Sequence, residues 1–120
     1  MFIRDLSKCK KFIAGDNSIL RELFNPLKDK LKLRYSLAHA IVKPNQLTYK
    51  HRLKASEVYY ILEGKGVMYV DKESKNIKSG QAIYIPPNSV QQIKNTGKKN
   101  LVFLCIVDPA WQHKNEEILE

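Results

Sequence analysis

The chain has 120 residues, with 21 lysines and arginines against 12 acidic residues, giving a formal net charge of +9. That length suits one domain, residues 1–120, with a real hydrophobic core. No apolar run is long enough to span a bilayer, the start lacks a secretory apolar region, and two cysteines, Cys9 and Cys105, make no disulfide framework, so the expectation is a cytoplasmic protein with reduced thiols and no membrane partner.

The lysines are scattered: Lys8, Lys10 and Lys11, then Lys28, Lys30 and Lys32, then Lys98 and Lys99. No recognition helix, zinc finger or stacking ribbon accompanies them, which argues against nucleic acid and for a solvated surface. A weaker reading of the same charge is a field that attracts an anionic ligand.

In chain order, residues 1–6 read as an edge strand and residues 10–14 as a second short one. Gly15-Asp16-Asn17-Ser18 is a helix-start signal, and Ile19, Leu20, Leu23 and Phe24 follow at helical spacing until Asn25-Pro26 stops them. One short amphipathic N-terminal helix is therefore expected within residues 1–33, its apolar face covering a sheet. Residues 27–32 alternate and suit a loop or an edge strand. From residue 33 to 42 the alternation is clear, with Leu37, His39 and Ile41 on one face and Ala38, Ala40 and Val42 on the other.

After the turn at Pro44-Asn45-Gln46, residues 47–52 bring in His51 and residues 57–62 form a strong strand rich in branched and aromatic side chains. Gly64-Lys65-Gly66 turns into a return strand over residues 67–71. Residues 71–75 turn again, and Ile77 lies in a short strand. Further strands follow at residues 82–85, 90–94 and 101–107, with Pro86-Pro87 and Asn95-Thr96-Gly97 as breaks. Cys105, inside the last run, reads as a small buried hydrophobe. Many short strands with regular turns indicate an all-β barrel or jelly roll over residues 34–107.

The last strand is apolar on both faces, and Val58, Tyr60 and Leu62 also need cover. The helix, the tail (residues 108–120) or a second subunit would supply it, and a homodimer is the expectation. Trp111 reads as a pin holding the terminal segment, with a pocket lid as the alternative. His113, Glu116, Glu117 and Glu120 read as a mobile surface tail.

If Glu57 points inward, so does Tyr59. If Gln91 also points inward and His51 enters from a neighbouring strand, the three polar groups His51, Glu57 and Gln91 converge in one apolar cavity. A carboxylate buried there would need donors, such as His51, Gln91 or Tyr59, and would have a perturbed pKa suited to acid or base work.

The order of residues resembles the cupins. Their first motif runs Gly, five residues, His-x-His, three or four residues, Glu, six residues, Gly; the second runs Gly, five residues, Pro-x-Gly, two residues, His, three residues, Asn. Here His51, Glu57 and Gly64 match the first motif and Gly80, Pro86 and Asn95 the second. Asn45 and Asn88 stand where the family has turn glycines, and Asn is the residue that best replaces Gly at positive φ. Leu53 and Gln91 stand where the family has metal-binding histidines.

The resemblance implies a cupin-type double-stranded β-helix and a divalent metal held by His51, Glu57 and Gln91, with manganese, iron, zinc or nickel as the candidates. His39 is either a structural histidine or a substitute ligand. The segment His51-Arg52-Leu53 and the Gln91 that follows Pro86-Pro87 look like a branch of small single-domain cupins called mannose-6-phosphate isomerase-like.

Two functions from different classes are expected. The first is a metal-dependent enzyme acting on a small sugar-like or carbonyl compound, an isomerase, epimerase or dioxygenase, with Glu57 and Tyr59 as catalytic groups. The second is a non-catalytic barrel that holds a small molecule at a degenerate metal site. Electrostatic nucleic-acid binding is a third, weaker reading.

Overall fold

The computed structural model describes residues 1–119. Its strands are β1 (Phe12–Ile13), β2 (Ile19–Phe24), β3 (Ser36–Val42), β4 (His51–Leu53), β5 (Ser56–Glu63), β6 (Lys65–Val70), β7 (Glu73–Lys78), β8 (Ala82–Ile85), β9 (Gln91–Asn95), β10 (Leu101–Asp108) and β11 (Glu116–Ile118). They form a six-stranded sheet, β1-β2-β3-β10-β5-β8, facing a five-stranded sheet, β11-β4-β9-β6-β7. The all-β two-sheet architecture is the one the turn spacing implies.

The expected helix is absent. Ile19–Phe24 is strand β2, antiparallel to both β1 and β3. Asn17 sits at φ 76° in the turn between β1 and β2, and Asp16 Oδ1 accepts from the Ser18 N–H at 3.0 Å and the Ser18 hydroxyl at 2.6 Å. An Asx turn of this kind uses the same residue types as a helix N-cap, and here it makes a hairpin. Among the described residues the only helical turns are short 3-10 turns at Leu6–Lys8 and His113–Asn115. Residues 1–6 form no strand, and residues 27–32 are loop.

The tail is also corrected. Glu116–Ile118 pairs with β4 and forms one edge of the five-stranded sheet, with Glu117 opposite Arg52 and Ile118 opposite His51. Glu120 lies outside the described residues.

The core lies between the sheets. Ile61, Ile85 and Phe103 come from one sheet, Met68, Ile77 and Ile93 from the other, and all are buried. Burial of each such side chain stabilises the fold by about 1.5–3 kcal/mol. Cys105 belongs to the same cluster, as its sequence context suggests.

The two Asn replacements keep the turns: Asn45 has φ 64° and Asn88 φ 67°. Gly66 is required for a different reason, since a Cβ there would run into the Lys94 carbonyl on the neighbouring β9. Among the described residues no helix is long and apolar enough to cross a membrane.

The outer face of the six-stranded sheet stays open. Tyr60, Leu62, Tyr84 and Ile106 are exposed, Tyr84 by 64%. Residues 19–24 extend the sheet sideways instead of covering it, and residues 116–118 join the opposite sheet.

Candidate functional site

A cavity of about 320 Å³ opens at one end of the barrel. The chemistry is placed by strand alternation. β5 turns Glu57, Tyr59 and Ile61 inward, all buried, and leaves Tyr60 and Leu62 outside. β4 contributes His51, which pairs in register with Gln91 of β9. Glu57, His51 and Gln91 are 6%, 3% and 1% exposed.

Three of these side chains form a chain of hydrogen bonds. The Tyr59 hydroxyl donates to Gln91 Oε1 at 2.8 Å, and Gln91 Nε2 donates to Glu57 Oε1 at 2.8 Å. Because Oε1 is taken by this donor, Oε2 is the carboxyl oxygen left for the cavity, and it has no hydrogen-bond partner among the described residues.

Burial pushes the Glu57 pKa up from its ordinary 4.5 to about 8; the Gln91 bond opposes this, and the charges of Asp16 and Glu116 add to it. Glu57 therefore holds a proton at neutral pH. Burial first, then the Glu57 charge, push Tyr59 well above its ordinary value, so it remains a phenol. Cys105, behind them, is raised by burial in the same way and stays a thiol.

His51 Nδ1 lies 3.0 Å from the Tyr49 carbonyl. A carbonyl only accepts, so Nδ1 carries the hydrogen, and Nε2 is the ring nitrogen turned toward the cavity, able to offer a lone pair when it is not itself protonated. Nε2 is 3.8 Å from Asp16 Oδ2. An acid, Glu57, and a base, His51, thus border the same cavity.

Two cavity residues were not singled out as site residues from sequence: Asp16, in the β1–β2 turn, and Glu116, in β11. Gly15 makes room for Glu116, because a Cβ on Gly15 would come 2.6 Å from Glu116 Oε1. Burial raises the Glu116 pKa, and Asp16 adds to that while His51 and Trp111 oppose it.

The sequence carries a signal for each residue. Asp16-Asn17 between two apolar runs is also a hairpin signal. Glu116 and Ile118 alternate with Glu117, which instead pairs outward with Arg52 at 3.0 Å. Trp111 pins the terminal segment, as expected, and also lines the cavity. Its ring packs on Leu53, Ala55 and Val107 and lines the cavity, and its backbone N–H donates to Ser36 Oγ at 2.9 Å.

His39 is not in the site. It lies on the opposite face of β3 from Ala38 and Ala40, which line the cavity. Its pKa is lowered by burial and by Arg21.

The donor set does not suit the divalent ion that the motif implies. Both polar atoms of Gln91 are engaged within the protein, Leu53 offers no donor, and Glu57 is a poor ligand while it holds a proton. Among the described residues no group of three His, Cys, Asp or Glu side chains is placed to hold a metal ion. His51 and Glu57 line the cavity and Gln91 lies behind Glu57, bonded to it and to Tyr59, while His51 bonds separately to the Tyr49 carbonyl; this arrangement does not fit a metal centre.

Comparison with known proteins agrees with the fold. Residues 38–107 match the family model described as Cupin domain. The chain is 43% identical over 117 residues to an uncharacterised protein of Methanocaldococcus jannaschii, covering 97% of this chain and 93% of that one. Among solved structures, the polyketide cyclase RemF from Streptomyces resistomycificus superposes with a TM-score of 0.82 at 18% identity, covering 100% of this chain and 86% of that one. Pac13 from Streptomyces, described as a unique nucleoside dehydratase, gives 0.80 at 16% identity, covering 100% and 92%. At these identities the two structures speak for the fold alone.

Proposed function

The chain belongs to the cupin family, and from that premise we propose that it binds a small molecule in the barrel cavity and moves protons at it without a metal. Glu57 is the acid, donating from Oε2, and His51 is the base, accepting at Nε2. Tyr59 and Gln91 hold Glu57 in place and are positioning residues. The observation that carries this reading is the Tyr59–Gln91–Glu57 hydrogen-bond chain, which turns two of the expected metal-site positions into a proton-holding group.

An acid whose pKa lies near the working pH suits general acid catalysis. The matching reaction classes are isomerisation or epimerisation next to a carbonyl, or loss of water from a small hydroxylated compound. The likeness to the mannose-6-phosphate isomerase-like branch enters this proposal only through His51-Arg52-Leu53 and Gln91, and it does not choose the substrate.

A second reading keeps a divalent ion, with isomerase, epimerase or dioxygenase chemistry. It is favoured by one observation, the Asp16 carboxylate 3.8 Å from His51 Nε2 on the same cavity. A third keeps the pocket as a non-catalytic receptor, favoured by its largely apolar wall.

Deuterium uptake from heavy water separates the three. Small ketones, aldoses and amino ketones are incubated with chelator-treated protein. Uptake that falls about 100-fold or more in Glu57→Gln is the expected result. Uptake only after manganese, iron, zinc or nickel is added would establish the second reading. Binding without uptake under either condition would establish the third.

A further inference from the structure

The cavity and the surface carry opposite charge. Of the chain's 21 lysines and arginines, none lines the cavity among the described residues, whereas Asp16, Glu22, Glu57 and Glu116 do. Glu22 already has its cation, Lys28 Nζ at 2.8 Å, and a donor in Asn25 Nδ2 at 3.0 Å. The other carboxyl groups have neutral donors, Ser18 for Asp16, Gln91 for Glu57 and Trp111 for Glu116, and no lysine or arginine among the described cavity residues; the ionisable groups beside them that can carry positive charge are the imidazoles of His51 and His113.

Polar atoms are left open toward this space. Glu57 Oε2 has no hydrogen-bond partner among the described residues, although the side chain is almost fully buried. The His51 ring is equally buried, and its Nε2 has only Asp16 Oδ2, at a distance too long for a hydrogen bond. Ser18 anchors Asp16 through Oδ1 alone, which leaves Oδ2 free. Buried polar groups normally have partners, so these open atoms mark where a ligand's polar group belongs.

The remaining wall is apolar and aromatic, including Leu20, Phe103 and Trp111. A volume of about 320 Å³ is the size of a small organic ligand's site.

We propose that the cavity takes a small organic amine, its protonated nitrogen held by the carboxylates of Asp16 and Glu116 and its apolar body lying against Trp111, Phe103 and Leu20. The proposal rests on reading the cavity as a small-molecule site and names the chemical class of its occupant. It reverses the expectation of an anionic ligand drawn from the net charge. Surface lysines act through water and salt, with a screening length of about 8 Å at physiological ionic strength. Inside the cavity the nearby carboxylates decide. A carboxylate or phosphate placed there would meet its own charge with no lysine or arginine to pair with. An ammonium would be paired, and the Trp111 ring adds a favourable face for it.

The test uses the full chain at pH 7 and four probes that share a ring: benzylamine, benzoate, phenyl phosphate and benzyl alcohol. Binding is read from the indole N–H signal of Trp111, the chain's one tryptophan. Benzylamine is expected to bind at least about tenfold more tightly than benzoate or phenyl phosphate. Asp16→Asn and Glu116→Gln should each weaken benzylamine by about tenfold and leave benzyl alcohol unchanged. Asp16→Asn keeps the acceptor for Ser18, and Glu116→Gln lies outside that turn, so loss of fold in one variant leaves the other to decide.

Tighter binding of benzoate or phenyl phosphate would overturn the amine and leave the pocket standing. A Trp111 shift with manganese or zinc but not with benzylamine would overturn it in favour of an inorganic cation. No shift with any probe at millimolar concentration would overturn both the amine and the small-molecule pocket.

Discussion

The two faces of β5 differ more than any two distant parts of the molecule. Glu57, Tyr59 and Ile61 point inward and are buried; Tyr60 and Leu62 point outward and are exposed, with Val58 half-buried beside them. The backbone, the neighbours in sequence and the hydrogen-bonding strands, β8 and β10, are shared. Only the side of the sheet changes. On the inner side, loss of water makes a carboxyl group keep its proton at neutral pH. On the outer side, the same sheet presents an apolar stripe that neither terminus covers. Orientation relative to the core, more than residue type, separates chemistry from contact surface.

The contrast is broken most strongly at Ile61, which is completely buried. Ile61→Ala is expected to cost about 2–5 kcal/mol. Leu62→Ala, one residue away, should stay within about 0.5 kcal/mol at protein concentrations that keep single chains. Urea midpoints of the two variants measure this, and equal losses would contradict the inward–outward assignment.

Glu57 gives the next effect. Its folded pKa of about 8 lies above the ordinary 4.5, so the folded chain holds a proton that the unfolded chain releases across that window. The stabilisation from the protonated form is complete below about 4.5 and is lost as pH rises toward about 8, at up to about 1.4 kcal/mol per pH unit. Stability curves from pH 5 to pH 9 should therefore fall less steeply in Glu57→Gln than in the parent. Parallel curves would show that the carboxyl group is not held protonated.

The smallest effect on folding sharpens the outer face. A second copy of the chain is proposed as its cover, because β2 and β11 both lie elsewhere. The parent should sediment as a dimer, and Tyr84→Lys with Ile106→Lys as a folded single chain. A parent that sediments as a single chain would remove that cover.

Much of this contrast was legible in the sequence. The β5 and β10 strands, the buried Cys105 and the inward placement of Glu57 and Tyr59 follow from alternation and spacing. Asn45 and Asn88 adopt the positive φ that their Gly-replacing positions require.

β2 was not legible, for two physical reasons. The register with β3 shifts between Glu22 and Phe24, so a bulge breaks the strict alternation that marks a strand. What remains, Ile19, Leu20, Leu23 and Phe24, has the spacing of a helix. In addition, the Asp16–Ser18 bonds satisfy a hairpin with the residue types that cap a helix. Misreading that turn hid Asp16, and reading the end of the chain as a tail hid Glu116. No sequence pattern shows that both ends of the Gln91 amide are engaged within the protein, so the competition between a metal and the hydrogen-bond chain was not legible.

Asp16 and Glu116 lie outside residues 38–107, the segment that the cupin family model matches. The proposed amine preference can therefore change by substitution in one turn and one edge strand while the barrel stays constant. Relatives that look alike across the barrel can then diverge in the charge they accept, and ligand preference can evolve faster than the fold that displays it.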